Sequence, residues 1–233
     1  MEDMTASELH AVHAPPAGQF LHGLGRHESD SILAAAKPRR FCAKSVMTRQ
    51  GERADQLLLL WKGRARYFFD TPNGGKNILM WITPGDVFGG VALVSRPSAY
   101  LVSTEAVRES VVLVWEASTI RGLSRRFPQV MENVLFIAED HFSWYIAAHA
   151  ALTSQTARER LAHVLVELAP SIGREVAGGT ELDVTNEELA NSANITPYTA
   201  SRMISAWQRS GVLCKHRGKI IVRFPEQLFP RVV

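Results

Sequence analysis

Hydrophobic and polar positions change their rhythm along this chain, and the changes mark out its parts. From Phe41 to Trp115 apolar residues come in short runs rich in Val, Leu, Phe, Tyr and Trp. The runs are broken by Arg49-Gln50-Gly51-Glu52, Lys62-Gly63, Thr71-Pro72-Asn73-Gly74-Gly75, Thr83-Pro84-Gly85-Asp86 and Arg96-Pro97-Ser98. Strands of about 5 to 9 residues with turn punctuation at that spacing predict an antiparallel barrel or sandwich. From Pro128 to Leu152 no Gly or Pro intervenes, and Leu135, Ala138, Phe142, Tyr145, His149 and Leu152 recur three and four residues apart. That spacing predicts a long helix with one apolar seam, and a symmetric partner helix is the economical cover for it, hence a twofold homodimer. His149 lies within the seam. Thr156 and Glu159 form a capping-box pair that restarts a helix with a Leu161, Val164, Leu165, Leu168 stripe, expected to end at Pro170.

The C-terminal part predicts a helix-turn-helix. Thr185 reads as an N-cap with Glu188 as its reciprocal partner, and Val184 with Leu189 as the hydrophobic staple of a short helix ending near Ser192. Thr196-Pro197 starts a second helix, because proline at the first helical position loses nothing by lacking an N–H. That helix is expected to reach Ser210, with Gly211 as its left-handed stop. Ala200, Met203, Ile204 and Trp207 form its inner face, leaving Pro197, Tyr198, Ser201 and Arg202 on the opposite side. Val212 to His216 and Lys219 to Val222 flank Arg217-Gly218 as a basic-tipped hairpin, a wing. A recognition helix of this kind meets base edges with its N-terminal turns. Tyr198, Ser201 and Arg202 are therefore the expected base readers, and Thr196, Thr199, Lys215, Arg217 and Lys219 the expected phosphate contacts.

Charge supports this assignment locally rather than globally. The net charge of +3 is mild, yet Arg202, Arg209, Lys215, Arg217, Lys219 and Arg223 fall between Pro197 and Phe224 with no acidic residue among them. Hydrophobic content of 46% with 21% charged residues is that of a globular protein. No run approaches the ~18 uncharged apolar residues of a membrane span, and no signal peptide opens the chain, so the expected location is the cytoplasm. Residues 1 to 18, with Ala14-Pro15-Pro16, read as a mobile arm. The expected divisions are 1–18 (arm), 19–127 (sensing barrel), 128–153 (dimer helix) and 154–233 (winged helix-turn-helix), an α+β protein.

Barrel, long helix and winged helix-turn-helix in that order resemble the Crp/Fnr family of bacterial regulators from about residue 30 to 225. Gly51-Glu-Arg-Ala-Asp-Gln-Leu57, Trp61-Lys-Gly63, Pro84-Gly-Asp-Val-Phe-Gly89 and Thr199-Ala-Ser-Arg202-Met-Ile204 carry the match. The resemblance implies a double-stranded β-helix, the cyclic-nucleotide-binding jelly roll, whose effector alters a dimer that presents two recognition helices to palindromic DNA, with RNA polymerase as a further partner. Two departures stand out. Cyclic-nucleotide-binding members place Gly-Glu where this chain has Gly89-Gly90, and an Arg-Ser pair where it has Tyr100-Leu101, so cyclic AMP loses its charge-assisted contacts. Fnr-like members carry E-x-x-S-R where this chain has Tyr198-Thr-Ala-Ser201-Arg202, a form similar to the nitric-oxide-responsive regulators of denitrification genes. Cys42 and Cys214 are the only cysteines, which excludes an Fnr-type iron-sulfur cluster. Haem would need a ligand from His10, His13, His22, His27, His141, His149, Cys42 or a methionine. The Phe41 to Trp115 stretch has no histidine for a cupin-type metal centre, and no hydrolase or nucleotide-binding motif occurs elsewhere, so catalysis is not expected.

Overall fold

The computed structural model of the protein describes residues 18–70, 76–94, 96, 98–216 and 218–229. The predicted arm, apart from Gly18, lies outside them. The chain divides into two compact units, residues 1–69 with 79–144, and residues 70–78 with 145–233.

In the first unit a 3-10 turn at Gln19–Leu21 and helix α1 (Arg26–Ala34) lead into eight strands: β1 (Lys37–Phe41), β2 (Val46–Thr48), β3 (Gln56–Lys62), β4 (Ala65–Asp70), β5 (Lys76–Ile82), β6 (Val87–Phe88), β7 (Ser103–Ala106) and β8 (Ser110–Glu116). They form two antiparallel sheets, ordered β1-β8-β3-β6 and β2-β7-β4-β5, which is jelly-roll topology. The predicted barrel is therefore present. Strand β3, Gln-Leu-Leu-Leu-Leu-Trp-Lys, shows why its apolar run is continuous rather than alternating. Leu58 and Leu60 pack with Ala65, Tyr67, Ile82, Phe88, Val112 and Val114 in one cluster. Leu57, Leu59 and Trp61 point the other way, into a second cluster with Phe20, Ile32, Trp115, Ile120, Phe127 and Val130. A strand buried on both faces needs both of its side-chain registers apolar.

That second cluster is closed by two helices the apolar pattern does not announce, α1 and α2 (Ala117–Arg126), and by the first turns of the expected long helix, α3 (Gln129–Ser154). Polar anchors fix them, as the Trp115 indole donates to the Ile32 carbonyl at 2.8 Å. Asn133, buried in α3, donates to the carbonyls of Phe20 and His22, both at 2.8 Å. Each bond satisfies a buried polar group that would otherwise cost free energy.

The second unit holds the C-terminal turns of α3, α4 (Ala157–Ile172), β9 (Arg174–Val176), β10 (Gly179–Asp183), α5 (Asn186–Ser192), α6 (Pro197–Arg209), β11 (Leu213–His216) and β12 (Lys219–Val222). The sheet order is β11-β12-β10-β9, so the wing is two strands of a four-stranded sheet. The β9-β10 hairpin is absent from the sequence reading. One expectation fails in detail: α4 continues past Pro170 to Ile172. Proline removes only the N–H that would bond Val166, whose side chain is exposed, so its carbonyl can turn to water. The last turn then closes when Gly173 N–H donates to Ala169 O at 3.0 Å.

Candidate nucleic-acid interface and sensor cavity

The helix-turn-helix forms through the local signals that predict it. Thr185 and Glu188 exchange the two capping-box bonds, with Glu188 N–H to Thr185 Oγ1 at 3.1 Å and Thr185 N–H to Glu188 Oε2 at 2.8 Å. Val184 and Leu189 are both buried. The tight turn passes through Asn194, held at φ 50° in the left-handed region that asparagine tolerates. Thr196 Oγ1 then accepts from Thr199 N–H at 3.1 Å to cap α6. Ala200, Ile204 and Trp207 are buried beneath it, with Met203 half-buried. Tyr198 is 77% exposed, Arg202 is exposed, and Ser201 is half-buried on the same face. The residues expected to read bases thus share the outer surface of α6, near its N-terminus.

The expected phosphate contacts divide. Thr196 and Thr199 lie at that N-terminus with their hydroxyls 2.8 Å apart. Lys215 on β11 donates to Asn186 Oδ1 at 3.0 Å, and Lys219 on β12 donates to Glu181 Oε1 at 2.9 Å. Arg217 lies outside the described residues. Glu181 also accepts from Arg174 at 2.8 Å. The bonds from Lys219 and Arg174 hold its carboxyl below the usual carboxylate range. Glu181 and Asn186 are therefore functional neighbours that sequence reasoning misses, because each belongs to a segment distant in the chain from the lysine it holds.

The predicted seam of α3 stands uncovered. Leu135, Phe142 and Leu152 are exposed, as are Ala138 and His149, while Tyr145 is half-buried. Ile146 is exposed beside them and widens the stripe, whereas Phe136, also exposed, lies on another side of the helix.

Within the first unit, the positions that serve cyclic nucleotides elsewhere are closed by packing. Gly89 has φ 77°, and a Cβ there would stand 2.6 Å from Gln56 O and 3.2 Å from the Tyr100 ring. A Cβ on Gly90 would stand 3.1 Å from Val134 of α3. Tyr100, at the expected arginine position, is buried and donates to Gln56 O at 3.0 Å. Burial pushes its phenol above the usual tyrosine range. Arg66 on β4 is committed to its cross-strand partner Glu105, with Nε to Oε1 at 2.8 Å. A cavity of about 260 Å³ opens beside Tyr67, Trp81, Ile82, Asp86, Asp140 and His141. Among the described residues its lining includes no lysine or arginine.

Of the haem-ligand candidates among the described residues, His141 and Met80 line this cavity. His22, His27, His149 and Cys42 are exposed, and His10 and His13 lie outside the described residues. With carboxylates in its lining and no cation for the propionates, the cavity does not fit haem. Among the described residues no group of three His, Cys, Asp or Glu side chains could hold a metal ion, and no helix is long and apolar enough to cross a membrane.

A jelly roll, a long helix and a winged helix-turn-helix in one chain define a Crp/Fnr-type transcription regulator. The cyclic nucleotide-binding domain model matches residues 38–127, and the Crp-like helix-turn-helix domain model matches residues 159–229. The chain belongs to the Crp/Fnr family of transcription regulators. It is 26% identical over 204 residues to the cyclic AMP receptor protein of Thermus thermophilus, across 88% of this chain and 92% of the relative. Among solved structures, FixK2 from Bradyrhizobium japonicum superposes with a TM-score of 0.73 at 22% identity, over 83% of this chain and 95% of that one. The c-di-GMP responsive regulator CLP of Xanthomonas campestris gives 0.75 at 16% identity, over 85% and 99%. These relatives are regulators rather than enzymes.

Two outcomes follow from the electrostatics. Desolvation lowers the pKa of His141, and Asp86 and Asp140 only partly oppose it. The unfolded chain therefore takes up a proton near pH 6.5 that the folded barrel resists, so stability falls as pH drops through and below about 6.5. His141→Phe should lose that component of the acid sensitivity when thermal unfolding is compared at pH 7 and pH 5. Separately, Glu181→Gln removes a carboxylate that competes with phosphate for Lys219. Its binding to a random-sequence duplex should tighten at low salt, and the slope of log K against log salt should steepen by up to about one. An unchanged slope in an anisotropy titration would show that Lys219 does not reach the backbone.

Proposed function

We propose that the protein acts as a homodimer across the α3 stripe, binding palindromic duplex DNA through α6 and controlling transcription with RNA polymerase as a partner. The observation that carries this reading is the joint exposure of Tyr198 and Arg202 on a helix whose opposite face buries Ala200, Ile204 and Trp207. Arg202 presents a two-pronged donor suited to guanine, and Ser201 and Tyr198 adjoin it. Thr196, Thr199, Lys215, Arg217 and Lys219 supply the phosphate contacts that set register, with Lys215 oriented by Asn186 and Lys219 exchanging Glu181 for phosphate. Leu135, Ala138, Phe142, Tyr145, His149 and Leu152 form the dimer seam, extended by Ile146.

The signal in this reading is not cyclic AMP. The T. thermophilus relative is named a cyclic AMP receptor, but here Gly90 abuts Val134 where the ribose carboxylate would stand, and Tyr100 replaces the phosphate-binding arginine. The cavity beside His141 carries Asp86 and Asp140, which repel an anionic phosphate. The Pro197-Tyr198-x-x-Ser201-Arg202 pattern supports placement in the nitric-oxide-responsive branch controlling denitrification genes. Tyrosine cannot accept from a cytosine amino group as the glutamate of Fnr-like members does, so the half-site differs at that base pair.

Selection from random duplexes tests the reading. The protein should enrich a palindrome with half-sites about one helical turn apart. Arg202→Ala should lose about 1 to 3 kcal/mol of discrimination at one base pair while keeping salt-sensitive non-specific binding. Full specificity in that variant would contradict the assignment of α6.

A further inference from the structure

The second unit has one side chain that ties together two loops of different purpose. Gln155 is the single residue between the end of α3 and Thr156, the N-cap of α4. Ala193, Asn194 and Ile195 are the turn between α5 and α6. Arg160, in the first turns of α4, reaches both. Its Nη1 donates to Gln155 O at 2.8 Å, its Nε to Ala193 O at 3.0 Å, and its Nη2 to Asn194 O at 3.4 Å.

These acceptors are not arbitrary. Gln155 follows the last residue of α3, and its N–H still donates to Ala151 O at 3.0 Å. Ala193 is the C-cap of α5. Carbonyls at helix C-termini lack intrahelical donors and carry the negative end of the helix dipole. One guanidinium therefore satisfies the ends of two helices at once. Its donors are fixed in a plane, so the two ends cannot shift relative to each other without breaking a bond. An ammonium on a flexible stem imposes no such constraint. The turn it holds leads directly into Thr196 and Pro197, the start of α6.

We propose that Arg160 is a positioning residue for DNA recognition: it fixes the start of α6 to the end of α3, so that the geometry of the dimer helix sets where the recognition helix lies. This rests on the DNA-binding reading above. In a dimer built on α3, the separation of the two α6 helices then depends on Arg160, and with it the tolerated spacing between half-sites.

Two measurements on the full chain test this, and only one of them needs DNA. In Arg160→Ala, residue-resolved hydrogen exchange should accelerate at both the Gln155 and Ile195 amides by about tenfold, the loss expected of a bond worth ~1.4 kcal/mol. The β10 and β12 amides should keep their protection. Acceleration at only one of those two loops, at neither, or across the whole unit overturns the coupling. The second measurement uses the operator enriched by the wild-type protein and versions with one base pair inserted or removed at its centre. Wild type should prefer the native spacing, whereas Arg160→Ala and Arg160→Lys should lose most of that preference with random-duplex affinity unchanged within about twofold. Proportional loss on every duplex, or rescue of spacing preference by lysine, overturns the proposal. Failure of the wild-type protein to enrich any palindrome would count against DNA recognition itself, and the exchange measurement would still decide the role of Arg160.

Discussion

Everything in the proposed mechanism depends on an apolar stripe that the chain does not bury by itself. Along α3, Leu135, Phe142, Ile146 and Leu152 stand exposed on one face. Burying a large apolar side chain contributes about 1.5 to 3 kcal/mol, so a stripe of four carries free energy to order a partner helix against the entropic cost of association. Monomeric proteins seldom leave so continuous an apolar strip in water. A second copy of α3 is its economical cover, because a twofold axis presents the same stripe to itself. A palindromic site, paired recognition helices and a spacing preference are all consequences of that one pairing.

The first unit is built to hold the other end of the helix firmly. The opening turns of α3 pack Val130 and Val134 into the cluster shared with Trp115 and Ile120, and Asn133 ties them to the 3-10 turn before α1. The cavity beside His141 adjoins the next turns of α3, through Ile137 and Asp140. A ligand entering it touches the helix that carries the exposed apolar stripe. This juxtaposition, rather than any resemblance of pocket chemistry to cyclic nucleotide binders, supports an effector role for the barrel. The positions expected to hold a cyclic nucleotide differ, with Gly90 against Val134 and Tyr100 in place of the arginine.

What could be read in the sequence was what depends on neighbours in the sequence. Thr185 with Glu188, Thr196 before Pro197, and Gly211 at φ 76° are signals within a turn of one another, and each forms as expected. The outer face of α6 follows from helical period alone. Helices α1 and α2 escaped notice because their few apolar residues, such as Ile32 and Ile120, are buried by strands far along the chain. The β9-β10 hairpin escaped because its strands are short and polar on one side, with Glu181 paired to Lys219 rather than to a neighbour. Pro170 misled because a proline near the end of a helix removes one bond at a solvent-facing turn and no more. The α3 stripe was legible as a heptad-like repeat, yet its full width was not, since Ile146 lies off that repeat.

The central claim is that α3 pairs with itself, and its most direct test is mass in solution. Sedimentation equilibrium at micromolar concentration should give about twice the chain mass of 25.8 kDa, and Phe142→Asp, which places a charge in the middle of the stripe, should give the single-chain mass with the helix content retained. A wild-type protein that sediments as a single chain, or a Phe142→Asp variant that remains a dimer, would contradict the account.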